Sequence, residues 1–529
     1  MEFDFVIVGS GFGGSVSALR LVEKGYRVLV LEKGRRLGAD DFPKTNWDLK
    51  KWLWQPQLGF RGLFKMTFLR HVTALSGVGV GGGSLVYANT LPIPKDDYFQ
   101  SDSWAHLSPE KNWKQELLPH YATARRMLGA APVPADTFPD TVLRQVAKEI
   151  GRQDSFERAT VAVYFGEPGK TVPDPYFGGE GPARTGCIHC GGCMIGCRFD
   201  AKNTLDKNYL YLAEKRGVEV RPDTEVVDVV PREGGGFDVR ALEGASMFGR
   251  AEETYSARNV IFSGGVLGTV DLLLRLKEKG SLAGLSSRLG DFVRTNSEVL
   301  MGVISRDRKV DMSAGVAITS ILHTDEHSHL EPVRYPHGSG FFRTLMTPHA
   351  PGSNVFARLV AMFRTIVLHP INTLRAFFVS DWARYTMILL YMRTLDGSMR
   401  MRLGRNVRTG FGRGLSTELG TGPAPSAAIP EATALAERVA QKIDGFPGSL
   451  LTETLLGVPT TAHILGGCVM GESGDTGVID HRHRVHGYDG LYVIDGSAIS
   501  ANPGVNPSLS ICALAERAMT FIPSKAESH

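Results

Sequence analysis

The chain has 529 residues, of which 43% are hydrophobic and 22% charged, with a formal net charge of +4. That length exceeds one ordinary core and predicts two joined domains, while the composition excludes a disordered or collagen-like chain. So small a charge on so long a chain carries no polyanion signature and leaves no case for nucleic acid as a partner.

Phe5-Val6-Ile7-Val8 reads as a short apolar strand, Gly9-Ser10-Gly11-Phe12-Gly13-Gly14 as a turn, and residues 15–24 as an amphipathic helix closed by Gly25. Residues 27–31 form a second strand that ends at Glu32, completing a βαβ unit. In such a unit Gly9 permits the tight turn, Gly11 lets the backbone approach a pyrophosphate, and Gly14 lets the helix pack on the sheet. Glu32 is placed to accept hydrogen bonds from a ribose diol, and the helix N-terminus faces the phosphates. The loop predicts a dinucleotide without separating FAD from NAD. No basic, apolar leader precedes the first strand and no apolar run approaches the roughly 18 residues of a spanning helix, so a cytoplasmic protein is expected.

A second glycine cluster spans residues 77–83, and residues 105–155 have helical character. Four of the six cysteines then fall together, as Cys187-x-x-Cys190-x-x-Cys193-x-x-x-Cys197. That is the spacing of a bacterial ferredoxin run, although Arg198 stands where such runs carry proline. Four thiolates suit a 4Fe–4S cluster first and zinc second, with free thiols or disulfides as the bland alternative. Because the fourth cysteine of such runs can serve another cluster, Cys468 or His189 is a candidate substitute. Residues 218–230 read as β structure, and residues 259–263 as a strand entering Gly264-Gly265. Residues 295–405 carry no dinucleotide signal and read as an insertion, before the last seventy residues return to strand, loop and helix. Within this stretch, residues 355–395 are rich in Leu, Ile, Phe and Met, interrupted by arginines such as Arg358 and Arg364. A pair of amphipathic helices covering the substrate domain is the preferred reading, with peripheral membrane contact as the alternative.

Three of these segments together resemble the glucose–methanol–choline oxidoreductases. Residues 77–89, Gly264-Gly265-Val266-Leu267-Gly268-Thr269, and the tail Tyr492-Val493-Ile494-Asp495-Gly496-Ser497 with Gly504-Val505-Asn506-Pro507-Ser508 look like the family's signatures. The likeness runs over essentially the whole chain and is strongest to the branch of cholesterol oxidases with non-covalent FAD and a cysteine cluster. It implies an α/β fold, in which a doubly wound FAD-binding domain is interleaved with an α+β substrate domain built on an antiparallel sheet. The expected boundaries are 1–105, 185–295 and 460–529 for the FAD domain, and 106–184 and 296–459 for the substrate domain. By resemblance Gly79, Gly81, Gly83 and Ser84 would lie along the flavin, Val226 at the adenine half, and Asp495, Gly496, Asn506 and Pro507 against the flavin from the C-terminal segment.

His463 matches the family's active-site histidine, where a neutral imidazole can take the proton of a substrate hydroxyl. A histidine satisfied in a core is the bland alternative. Asn506 matches the second active-site residue, yet Asn506-Pro507 is also a good N-cap and first-turn pair for a helix starting near Ser508. Glu331 loosely matches a glutamate near the substrate, against the alternative of a solvated surface residue. Tyr87 stands where the family has a small residue or asparagine. The resemblance implies FAD-dependent oxidation of a hydrophobic, sterol-like alcohol, with oxygen, a quinone or an electron-acceptor protein taking the electrons and a cluster possible as relay. A non-steroid alcohol, a flavin-containing lyase and an electron-transfer protein are the alternatives.

Overall fold

Short runs of Val, Ile, Leu and Phe that are buried on both faces favour parallel strands between helices, and they build the first sheet here. The computed structural model describes residues 2–109, 112–246, 249–350, 352 and 354–527. Strands Glu219–Arg221, Val28–Leu31, Glu2–Val8 and Ala251–Phe262 lie side by side, all parallel. The far edge of Ala251–Phe262 carries two things. Its C-terminal half pairs in parallel with Leu491–Val493, and its N-terminal half starts an antiparallel extension through Phe237–Glu243 to Thr224–Pro231. The chain thus returns to its first sheet near its end, as the split nucleotide domain requires.

The second sheet is antiparallel and has seven strands, in the order Met346–Pro348, Gly445–Leu450, Val299–Ser305, Thr386–Arg393, Ser328–Val333, Ser320–His323 and Phe156–Arg158. Its strands alternate as a two-residue period demands. On Thr386–Arg393, Met387, Leu389 and Tyr391 join a hydrophobic core with helices Phe138–Glu149 and Pro430–Lys442. Ile388 and Leu390 turn to the opposite face, which is one wall of the central cavity.

The two cores divide differently from the expected boundaries. Helix Trp113–Met127 was expected in the substrate domain, yet it packs on helix Ser508–Thr520, with Tyr121 and Ser510 hydroxyls 2.7 Å apart and Trp113 and Leu117 in the core of the first sheet. Met399 and Met401 join that core too, whereas Phe42, Trp52 and Phe64, expected in the FAD domain, are buried in the second. The apolar segment forms helices Val355–Leu368 and Pro370–Phe378, both of which pack on strand Met346–Pro348 of the second sheet, before it continues into strand Thr386–Arg393. Arg358 turns inward, its guanidinium donating to the carbonyls of Thr454 at 2.9 Å and Gly352 at 3.0 Å, while Phe356, Phe363 and Phe378 are 77%, 68% and 78% exposed. Among the described residues no helix is long and apolar enough to cross a membrane.

Candidate active site

A cavity of about 710 Å³ runs between the two sheets and is walled by both. Its nucleotide end is built from backbone. A Cβ on Gly9, whose φ is +102°, would lie 2.5 Å from the Ser263 carbonyl oxygen, and one on Gly14 would lie 2.1 Å from that of Gly9. At Gly11 a Cβ would meet only the Ser263 oxygen, at 3.7 Å, so this glycine presents open backbone to the cavity. That division of labour fits a bound diphosphate. Glu32 lines the same end; its carboxylate accepts from Ser10 N–H at 3.0 Å, the Ser10 hydroxyl at 2.9 Å and Gly34 N–H at 2.9 Å. Val226 lies on the wall beside it, with Lys33 and Lys65. The charge of Lys33, then burial, pushes Lys65 down to about 8. Asp271 and Glu225, also on the lining, favour the Lys65 cation but are outweighed, so an anionic occupant would relieve the remaining repulsion between the two lysines.

Gly13 went unmarked in the sequence. A Cβ there would come within 1.7 Å of the Ile494 carbonyl oxygen, so this glycine lets the first helix seat on the C-terminal segment. In the second glycine cluster, Gly82 and Gly83 line the cavity, but Gly79, Gly81 and Ser84, expected along the flavin, stand behind that wall. The Ser84 hydroxyl donates to the Gly81 carbonyl at 2.7 Å and accepts from Leu205 N–H at 3.0 Å, while Gly81 N–H donates to the Ser10 hydroxyl at 3.1 Å. These residues brace the turn that carries the wall. Asp495 and Gly496 line the cavity, and the buried Asp495 carboxylate accepts from Gly265 N–H at 2.9 Å, Thr269 and Ser497. Burial raises its pKa despite those bonds.

At the reacting end the structure brings together residues far apart in sequence. His463 and Asn506 both line the cavity. Asn506 does not cap its helix: Ser508–Thr520 begins after Pro507, and the Asn506 Nδ2 group donates instead to Glu331 Oε2 at 3.3 Å. Glu331 is fully buried, which removes the surface alternative, and it stands behind Asn506, with His329 Nε2 3.4 Å from its other oxygen. The hydroxyl of Tyr87 donates to the Asn203 carbonyl at 2.8 Å, holding its ring in the cavity wall.

A segment the sequence did not mark supports both lining residues. Arg294 N–H donates to the Leu465 carbonyl at 2.7 Å, and Leu465 N–H returns the bond at 2.9 Å. Asn296 Nδ2 donates to the carbonyl of Val505 at 2.9 Å. Glu298, fully buried at its side chain, accepts from His463 Nδ1 at 2.5 Å, from Ala462 N–H at 2.8 Å and from the Thr461 hydroxyl. Burial, the largest influence on His463, disfavours its cation. The charge and hydrogen bond of Glu298, with the charge of Glu331, outweigh it and leave the histidine pKa raised. No motif flags a lone glutamate before a strand, so only the fold reveals it.

The four clustered cysteines are free and line one small cavity, which Lys202 also walls. Lys202 Nζ donates to the carbonyls of Leu85 at 3.0 Å and Cys193 at 2.7 Å, and lies 4.7 Å from the centre of the Tyr87 ring. Cys468, a candidate substitute for the fourth cysteine, is buried instead in the core of the first sheet. Among the described residues no group of three or more His, Cys, Asp or Glu side chains is disposed to hold a metal ion.

Comparison with known proteins agrees with this geometry. Residues 426–515 match a family model described as GMC oxidoreductase, and residues 7–73 match one described as an NAD(P)-binding Rossmann-like domain. Over 533 residues the chain is 46% identical to a cholesterol oxidase of Acinetobacter baumannii, covering 99% of this chain and 95% of that one. A cholesterol oxidase of Mycobacterium tuberculosis H37Rv is 46% identical over 537 residues, with 99% and 92% covered. The fold is shared with pyridoxine 4-oxidase from Mesorbium loti, at a TM-score of 0.62 and 16% identity over all of both chains. It is shared equally with a formate oxidase of Aspergillus oryzae, at 0.63 and 16% over 99% and 98%. The chain therefore belongs to the GMC oxidoreductase family, as an FAD-dependent alcohol oxidoreductase similar over nearly its whole length to relatives named cholesterol oxidase.

Proposed function

We propose that this enzyme oxidises the secondary hydroxyl of a sterol-like alcohol to a ketone, with His463 taking the hydroxyl proton and Asn506 binding the hydroxyl oxygen. The observation that carries the reading is that His463 and Asn506 share a cavity with the apolar face of the second sheet and with Phe342 and Trp382. When bound, FAD supplies the acceptor for the hydride that leaves the carbinol carbon. One Nδ2 hydrogen of Asn506 goes to Glu331, which leaves the second for the substrate oxygen. Glu331 thus acts through Asn506. Gly11, Glu32, Val226 and Asp495 are the residues that would hold the cofactor along the cavity. Oxygen, a quinone or an acceptor protein would then remove the electrons.

The test is anaerobic absorbance spectroscopy with a 3β-hydroxysteroid, and a long-chain linear alkanol as comparator. Loss of the flavin bands with the steroid alone is expected. Bands unchanged by the steroid in protein that dithionite still reduces would reject the sterol assignment.

Two finer readings accompany this one. Convergence of Cys187, Cys190, Cys193 and Cys197 on one cavity, with ferredoxin spacing, supports an iron–sulfur cluster ahead of zinc. Because the thiols as arranged do not form a metal-holding set, no catalytic step is routed through it. Iron, sulfide and zinc analysis of anaerobically purified protein decides between them. The outward apolar faces of Val355–Leu368 and Pro370–Phe378 support peripheral contact with an anionic membrane, since no Asp or Glu occurs from residue 332 to 380. Co-flotation with anionic vesicles and none with neutral ones is the expected outcome.

A further inference from the structure

We propose that Glu298 is the positioning residue that holds the His463 imidazole in the tautomer protonated on Nδ1, so that Nε2 is the nitrogen offered to the substrate hydroxyl. This rests on His463 being the proton acceptor. An imidazole that must take a proton has to present a lone pair, and the hydrogen bond at its other nitrogen decides which nitrogen does so. His463 Nδ1 is 2.5 Å from Glu298 Oε2. A carboxylate can only accept, so Nδ1 must carry the hydrogen. The second oxygen of Glu298 is already committed to Ala462 N–H at 2.8 Å and to the Thr461 hydroxyl. The carboxylate therefore cannot rotate away without abandoning two buried donors. The ring is further tied by its own backbone, since His463 N–H donates to the Thr461 hydroxyl oxygen at 2.9 Å. Just upstream on the same segment, the paired bonds between Arg294 and Leu465 hold the loop that carries His463.

The proton inventory balances. The hydroxyl hydrogen moves to Nε2, and the hydride from the carbinol carbon is what bound FAD would accept. The imidazolium then stands between the new carbonyl and the Glu298 carboxylate. The other charged group acting on the ring is Glu331, itself faced by His329.

Glu298→Gln separates this role from simple packing. The two donors at Ala462 and Thr461 compel the amide oxygen to face them, which turns the amide NH₂ toward His463. Nδ1 must then accept, the hydrogen moves to Nε2, and the base is blocked. The holoenzyme should retain FAD and its melting temperature while the rate of substrate-driven flavin reduction falls roughly 10³-fold, the scale of one positioned proton acceptor, with KM little changed, because the histidine is held in the wrong tautomer. Glu298→Asp, which keeps an acceptor, should recover part of that loss. Nitrogen–proton correlation spectra of the wild-type holoenzyme, with the histidine rings isotopically labelled, report the tautomer without any variant. A hydrogen on His463 Nε2 in the wild type would overturn the proposal even if Glu298→Gln failed to fold. Retention of the wild-type tautomer in Glu298→Gln would overturn it as well. A switched tautomer with an undiminished rate would leave Glu298 as the tautomer-setting residue and reject His463 as the proton acceptor.

Discussion

The two ends of the central cavity are made by opposite means. At the nucleotide end the glycines Gly9, Gly11 and Gly13 form the wall and Gly14 packs behind it, and what they contribute is the absence of a side chain. At the reacting end the wall carries two side chains, His463 and Asn506, each backed by a buried glutamate, Glu298 and Glu331, the four drawn from four separate segments and joined in pairs by buried hydrogen bonds. The first kind of site tolerates almost no added volume. The second tolerates volume but not a misplaced proton. Perturbing one end should therefore remove the cofactor and leave the chemistry of any loaded molecules intact, while perturbing the other should do the reverse.

The largest expected effect lies at the reacting end. His463→Ala should lower the rate of flavin reduction by substrate about 10³-fold, the usual range for a positioned proton acceptor, with FAD content unchanged. Stopped-flow absorbance measures it. A loss confined to KM would make His463 a binding residue and break the division just drawn.

Gly13→Ala should give the complementary result. The added Cβ would lie 1.7 Å from the Ile494 carbonyl oxygen, and backbone has no rotamer with which to yield. A destabilisation of about 3 kcal/mol, at the upper end for overpacking, is expected together with poor FAD retention. Turnover per bound FAD should stay close to wild type. Unchanged melting and full FAD occupancy would show that the C-terminal segment is not seated on this glycine.

The same contrast explains what could be read from the sequence. Gly9, Gly11, Gly14 and Glu32 were legible because a turn, a helix start and a strand end are local events, set by residues within one βαβ unit. Gly13 escaped because its partner is Ile494, on the far side of the chain. His463, Asn506 and Glu331 were legible only through family resemblance, and their relations were not: whether Asn506 capped its helix or faced a carboxylate depended on the strand Ser328–Val333 placing Glu331 on its cavity face. Glu298 carried no signal, since one glutamate before a strand resembles many others. Which core each segment joins was hidden for a related reason. Helicity in residues 105–155 was apparent, but which sheet a helix covers is a tertiary matter, settled for Trp113–Met127 by helix Ser508–Thr520. In the apolar segment of residues 355–395 the facing of the first helix was not legible, because the burial of Arg358 depends on the distant Thr454 carbonyl.

A gentler perturbation at the reacting end is pH. The imidazolium of His463 is held by Glu298 and Glu331, so its pKa lies above the ordinary 6.5 despite burial. The ring must be neutral to take a proton, so kcat/KM should fall about tenfold per pH unit below that raised value. Stability should run the other way. A raised folded-state pKa stabilises the protein fully below the unfolded value and loses that contribution as pH rises through the folded one. In Glu298→Gln the activity limb should move to lower pH. An activity limb at or below 6.5 in the wild type would mean that Glu298 and Glu331 do not outweigh burial.

The smallest effect returns to the nucleotide end and asks whether backbone alone holds the cofactor. Lys33 and Lys65 share that wall, and the charge of Lys33, ahead of burial, brings Lys65 to about 8. A bound diphosphate would favour the ammonium form, so binding at alkaline pH should take up a proton. The sign follows: affinity of the apoprotein for FAD should be greatest below pH 8 and weaken as pH rises above it. Lys65→Met should flatten that dependence and weaken binding at neutral pH by roughly threefold to tenfold, the scale of one partly solvated charge pair. Fluorescence titration of FAD into apoprotein at neutral and alkaline pH measures both. Identical pH profiles in wild type and Lys65→Met would mean that the two cations do not reach the phosphates, and the nucleotide end would then be held by turn N–H groups and a helix terminus alone.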